Sequence, residues 1–203
     1  VGSHDSTVRR VDLTFRPAGL DDVAPLLALV TSAYRGEQSR AGWTTEADLL
    51  DGQRTDAPAI ARIVTGRDSL ILVAESPDVE SGAAGPGLAG AARPSSIVAC
   101  CQLERRGPGA YFGMFAVRPT AQAGGIGSAL LAEAERYALE AWGAAQLEMQ
   151  VIAQREELIA WYVRRGYRPT GATKPFPYGD ERFGLPKRSD LAFTVLAKPL
   201  AAR

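Results

Sequence analysis

The chemistry in this chain is densest at residues 114–128, Met-Phe-Ala-Val-Arg-Pro-Thr-Ala-Gln-Ala-Gly-Gly-Ile-Gly-Ser, where an apolar run meets a proline turn and then a glycine-dense bend opening an amphipathic helix. Such a strand delivers the backbone into a loop whose free N–H groups, together with the positive end of the following helix, can hold an anion. The glycines matter because a side chain there would keep phosphates away from the main chain. Gln122-Ala123-Gly124-Gly125-Ile126-Gly127 lacks the lysine of an ATP-binding P-loop and the spacing of a dinucleotide fingerprint. Nothing in it neutralises a terminal phosphate or positions Mg²⁺, so a pyrophosphate on main-chain N–H groups is the natural ligand. An unliganded glycine-rich turn is the plain alternative.

Other chemistries lack their central residue. The single histidine is His4, in a Gly-Ser-His start that resembles an expression tag, so residues 1–6 are set apart from the fold. A Ser-His-Asp hydrolase, a Cys-His protease and a histidine-built zinc site are therefore not expected, and no metal is implied. Cys100 and Cys101 are adjacent in an expected strand, where neighbouring side chains point to opposite faces, so they read as two separate thiols rather than a disulfide. Gly85-Pro-Gly87-Leu-Ala-Gly90 matches G-x-G-x-x-G literally, but it neither directly follows a strand nor opens a helix, and it reads as chance in a glycine-rich loop.

The elements that must position the bend follow from periodicity. Val11, Leu13 and Phe15 alternate with polar neighbours in a strand over 7–16, and Leu20, Val23, Leu27, Val30 and Tyr34 give a helix over 20–34. Two short helices are expected between 44 and 65, because Pro58 would break a continuous one. Strands follow at 69–75, 96–104 and 110–117, the last two joined as a hairpin through the turn at 105–109. Residues 76–95, rich in Gly, Ala, Pro and Ser, read as a flexible surface loop. After the bend come a helix with Leu130, Ala134 and Ala138 on its apolar face, a strand at 146–152 and a helix at about 155–165 stopped by Gly166. The helix between the strands at 110–117 and 146–152 makes them parallel neighbours in a right-handed crossover. Strands near 167–173 and 191–197 close the chain around an aromatic, proline-stiffened loop at 174–186.

A chain of 203 residues with 46% hydrophobic content suits one domain, here 7–203, with a substantial core. Its 23 basic and 23 acidic residues cancel, so no basic field for nucleic acid or an anionic membrane is present. No apolar run is long enough to span a bilayer and no secretory signal opens the sequence, so a cytoplasmic protein is expected.

Val117-Arg-Pro119, then Gln122-x-x-Gly125-x-Gly127 opening a helix, then a strand and Tyr162-x-x-x-Gly166-Tyr167, closely resembles the GCN5-related N-acetyltransferase (GNAT) superfamily. The motifs span roughly 110 to 170, and the order of elements from 7 to 197 agrees with that fold. The resemblance implies an α/β (α+β) GNAT fold: a twisted, mixed, mostly antiparallel sheet of about seven strands, helices on both faces, and the fourth and fifth strands splayed apart. It implies acetyl-CoA as co-substrate and direct transfer of acetyl to a primary amine of a small molecule or peptide through a tetrahedral intermediate; from the balanced charge, no nucleic-acid or membrane partner is expected. A homodimer is compatible with it. Phe115, Ala116 and Val117 then face the pantetheine arm, with main-chain groups of Phe115 and Val117 offered to it and a main-chain N–H of this strand serving the thioester carbonyl. Gln122 to Ser128 (Gln122, Ala123, Gly124, Gly125, Ile126, Gly127 and Ser128) wrap the pyrophosphate. Tyr162 matches the tyrosine that, in many members, protonates the departing CoA thiolate, and a phenol of ordinary pKa about 10 can do so at neutral pH. Packing of that helix onto the sheet is its alternative use.

One position departs from the pattern: where many members carry asparagine seven residues before this tyrosine, the chain has Arg155, beside Gln154. Arg155 is placed either on a CoA phosphate or in solvent, the latter slightly favoured. The general base is the weakest element. An alkylamine of pKa about 10.4 must lose a proton at a cost of about 4 to 5 kcal/mol at pH 7. Several relatives use a glutamate on the fourth strand, where this chain has Tyr111, so Glu104 and Glu148 stand as candidates. The acceptor is expected between Tyr34, Trp43, Thr44 and Glu46 on one side and Phe176, Tyr178, Asp180 and Phe183 on the other, with Tyr111 nearby. A longer acyl-CoA donor and a non-catalytic CoA-binding or regulatory module are the competing functions.

Overall fold

A computed structural model of the chain describes residues 12–35, 39, 45–77 and 96–201. Its elements in chain order are β1 (Thr14–Pro17), α1 (Val23–Tyr34), β2 (Leu50–Asp51), α2 (Ala57–Val64), β3 (Ser69–Ser76), β4 (Ser96–Arg106), β5 (Gly109–Val117), α3 (Ile126–Trp142), β6 (Gln146–Ile152), α4 (Glu156–Val163), β7 (Arg168–Pro175), β8 (Leu185–Pro186) and β9 (Ala192–Pro199). Seven strands form one sheet in the order β1-β3-β4-β5-β6-β9-β7, while β2 and β8 pair separately. Every neighbouring pair in the large sheet is antiparallel except β5 and β6, the parallel pair expected from the intervening helix. The sheet is thus the mixed, mostly antiparallel one expected. Among the described residues no helix is long and apolar enough to cross a membrane.

Both faces of the sheet are covered. On one, Leu72, Cys101, Leu103, Phe112, Leu147 and Met149 pack beneath α3 and α4; on the other, Ile71, Val73, Cys100 and Met114 pack beneath α1 and α2. Helix α3 follows its apolar spacing, burying Ile126, Leu130, Leu131, Ala134 and Ala138. It ends at Gly143, whose φ of +62° suits a residue without Cβ and lets its N–H close on Leu139. Helix α2 begins where Asp56 accepts from the Ala59 N–H at 2.7 Å, and Pro58 sits in the first turn where no N–H is needed.

Three expectations change. The first of the two short helices between 44 and 65 is a single turn, in which the N–H groups of Leu49 and Leu50 both reach the Glu46 carbonyl, followed by β2. Pairing of Leu50 with Pro186 wins there, because Leu50 is buried with Ile152, Phe176 and Leu191 under the late loop. The opening strand is described only from Thr14, so its part at 7–11 lies outside the described residues, as do residues 1–6 and 78–95 of the expected loop. A third difference, within β5, shapes the site and is taken up below.

Cys100 and Cys101 are both free and fully buried, on opposite faces of the sheet as strand alternation requires. Burial pushes the Cys100 thiol up to about 12 and the Cys101 thiol well above its ordinary value. Reactivity belongs to the thiolate. Neither cysteine should therefore react with a chromogenic disulfide reagent in the folded protein, and both should react in denaturant; rapid native labelling of either would contradict this packing.

Candidate active site

The opening between β5 and β6 is set by their short pairing. Ala110, Tyr111 and Phe112 lie against Leu147, Glu148 and Met149, and beyond those three positions the strands are no longer registered. A bulge in β5 sits at that point. Cys100 pairs with Ala116 but Gln102 pairs with Gly113, so Met114 and Phe115 together oppose Cys101. Met114 takes a φ of +43°, a left-handed conformation uncommon for a side-chain-bearing residue. The bulge also reverses which face the strand presents. Ala110 and Phe112 face α3 and α4, Met114 and Ala116 face α1, and Phe115 and Val117 return to the first face. The bulge, not the composition, divides this apolar run between the two cores.

A cavity of about 70 Å³ occupies the opening and is lined from both faces. From the α4 side come Leu158, Tyr162, Phe112 and Phe115; from the α1 side come Tyr34, Glu46, Arg54, Tyr111 and Gln150. Tyr162, only 3% exposed, is held among aromatic rings, with Phe112 and Phe115 each at 6.4 Å and Tyr167 at 5.7 Å between centroids. Burial, and secondarily the neighbouring Tyr34, push its phenol well above the ordinary range, so it stays protonated. Tyr34 donates its hydroxyl to the Phe115 carbonyl at 2.6 Å, tying the C-terminus of α1 to the bulge. Burial raises this phenol to about 12.

Glu46 is the carboxylate in the wall among the described residues, 7% exposed, with Arg35 donating to it at 2.8 Å. Arg155 stands at 3.6 Å and Arg54 at 3.8 Å from the same carboxylate. The solvated placement of Arg155 is thereby corrected: its side chain is 10% exposed and lines the cavity, because the turn before α4 points it inward toward Glu46.

At the other end of α4 lies the glycine bend. Gly125 has φ +74° and open space around the position of a Cβ, and α3 starts directly after it with seventeen residues of helix. The first N–H groups of a helix have no carbonyl behind them, and that end carries the positive macrodipole. Arg165 adds a charge the sequence reading did not find: its guanidinium donates to Ser128 Oγ at 2.7 Å and lies 3.5 Å over the Trp161 ring. These features fit a pyrophosphate, since an open, left-handed glycine, helix N–H groups and a neighbouring guanidinium converge there. The carbonyls of Phe115 and Val117 accept from the Tyr34 hydroxyl at 2.6 Å and from the Gln122 side chain at 3.0 Å.

The remaining candidates separate. Tyr111 lines the cavity with Arg106 stacked 4.0 Å over its ring. Its register partners on either side are Glu104 and Glu148, level with it in the same row; Glu104 is half-buried and ion-paired with Arg106 at 3.0 Å. Ala116 is buried under α1, away from the opening. Phe176 does not line the cavity: it is 4% exposed and stacks on Phe193 in the small core under the late loop. Tyr178 is 45% exposed, and its hydroxyl accepts from the Leu191 N–H at 2.7 Å, pinning that loop. Trp43 and Thr44 lie outside the described residues. Arg54 escaped the sequence reading because it sits in a polar stretch between elements with no periodicity to aim it.

The sequence model of the acetyltransferase (GNAT) domain matches residues 87–169, the segment holding the bulge, the glycine bend and Tyr162. Residues 87–169 thus carry the GNAT domain match, and the chain as a whole has the GNAT fold. Solved GNAT structures align over nearly its whole length. The ribosomal-protein-S18-alanine N-acetyltransferase of Escherichia coli is 17% identical with TM-score 0.59, covering 95% of this chain and 96% of that one. An N-acetyltransferase of Staphylococcus aureus Mu50 is 11% identical with TM-score 0.63, covering 93% and 98%. The PaiA N-acetyltransferase of Thermoplasma acidophilum, solved in complex with coenzyme A, is 14% identical with TM-score 0.57, covering 93% and 99%. At these identities the likeness is one of GNAT fold. No curated protein matches the chain significantly.

Proposed function

We propose that this GNAT protein is an acetyl-CoA-dependent N-acetyltransferase acting directly on a primary amine of a small molecule or peptide. The observation that carries the proposal is the cavity at the β5–β6 opening, reached by Tyr162 from one face of the sheet and by Tyr34, Glu46 and Tyr111 from the other. Donor and acceptor can meet there from opposite sides. Bound acetyl-CoA supplies the activated thioester. The helix α3 N-terminus with Gly125, Gly127 and Arg165 holds its pyrophosphate, and a main-chain N–H of β5 serves the thioester carbonyl.

Tyr162 stores the proton that the departing sulfur needs as the amine nitrogen forms its bond to the acetyl carbon and the carbon–sulfur bond breaks. The amine's own proton leaves through water toward the row of Glu104, Tyr111 and Glu148 at the outer end of the cavity. Free thiol should appear from acetyl-CoA only when a suitable primary amine is added, measured over an amine panel alongside calorimetric binding of acetyl-CoA. Tight binding with no amine-dependent thiol release on any member would contradict the enzymatic reading.

A further inference from the structure

The acceptor end of the cavity is unusually basic for a site that must receive an amine. Among the described residues, the charged side chains in this wall are the guanidinium groups of Arg54 and Arg155 and the carboxylate of Glu46. Glu46 is already committed, hydrogen-bonded at 2.8 Å to Arg35, a third guanidinium buried behind it. Arg54 approaches that carboxylate only to 3.8 Å, beyond hydrogen-bond reach, and lies 5.0 Å over the Tyr34 ring with its side chain 27% exposed. Its guanidinium lines the cavity beside Tyr34, toward whose hydroxyl one donor turns, and that hydroxyl is itself spent on the Phe115 carbonyl at the bulge.

A substrate carrying only positive charge would meet repulsion here. A carboxylate would meet a planar fork of donors that matches it in a partly dry setting where such pairs are strongest.

We infer that the acceptor is an amino acid or similar small molecule bearing a carboxylate close to its primary amine, with Arg54 binding the carboxylate and Arg155 adding positive charge beside it. The inference rests on the acetyltransferase reading above and names the substrate class of the same site. The carboxylate lies on the α1 face, so it belongs to the acceptor and not to the acyl group, which enters from the Tyr162 face. Directed toward the β5–β6 opening, the amine then points at the bulge that Tyr34 holds in place.

The test is kinetic and uses the intact chain. Thiol release from acetyl-CoA is measured with each proteinogenic amino acid beside its α-carboxamide, which keeps the amine and removes the charge. The best carboxylate should exceed its own amide in kcat/KM by about tenfold or more, the worth of a charge-assisted hydrogen-bond pair. Arg54→Gln should erase that ratio mainly through KM, and Arg54→Lys should restore part of it. Wild-type calorimetry with the same pairs in the presence of CoA keeps the test independent of how the variants fold: the acid should bind and the amide should bind at least several times more weakly. Equal or better use of amides or plain amines overturns the inference and leaves acetyl transfer standing. Acetyl-CoA binding without thiol release on any member overturns both.

Discussion

Tyr162→Phe should lower kcat by about a hundredfold while leaving acetyl-CoA affinity unchanged. The phenol sits 3% exposed among Phe112, Phe115 and Tyr167, so replacing it with Phe keeps the ring packing and deletes only the hydroxyl. Burial raises its pKa, which means that the neutral, proton-bearing form persists through the range where amines lose their protons. The sign for pH follows: as pH rises toward the pKa of the acceptor amine, kcat/KM should climb, with no descending limb from phenol ionisation in that range. Steady-state rates across pH, with calorimetry for the donor, check both statements. Unchanged turnover in the variant would remove Tyr162 from proton transfer and leave it a packing residue.

Glu46→Gln should be the most damaging substitution for stability. Glu46 and Arg35 are 7% and 8% exposed and hydrogen-bonded at 2.8 Å, with Arg54 and Arg155 close by. Removing the carboxylate strands guanidinium charge in a poorly solvated wall, and breaking such a pair costs about 3 to 5 kcal/mol. For a domain of this size that corresponds to a Tm roughly 6 to 20 °C lower. Adding Arg35→Met to the same chain should recover part of the loss, because the stranded charge goes with it. Thermal unfolding followed by circular dichroism reads both. A double variant less stable than Glu46→Gln alone would mean that Arg35 has other partners of greater weight.

The glycine bend and helix start proposed for the donor were legible in the sequence because they are dictated by backbone conformation. A left-handed bend needs Gly125, a helix start needs its apolar spacing, and both leave marks within a few residues. Tyr162 was legible through its distance from Gly166, which lies just beyond the end of its helix. The acceptor end depends on loops. Glu46 and Arg54 lie between elements, and their meeting with Arg155 brings together parts of the chain about a hundred residues apart, which no local pattern records. The late-loop aromatics show the reverse: Phe176 and Tyr178 carry the composition of a pocket, yet one fills a small core and the other pins a turn. The β5 bulge was hidden because residues on both of its faces are apolar, so a change in alternation altered nothing visible.

The central claim, that acetyl-CoA occupies the β5–β6 opening with its pyrophosphate on the glycine bend, is tested most directly by amide hydrogen exchange with and without the donor. Exchange should slow on adding acetyl-CoA in peptides covering 114–128 and 155–167, which hold the bulge, the bend, Tyr162 and Arg165. Unchanged exchange in those peptides at saturating acetyl-CoA, or protection confined to other parts of the sheet, would contradict it.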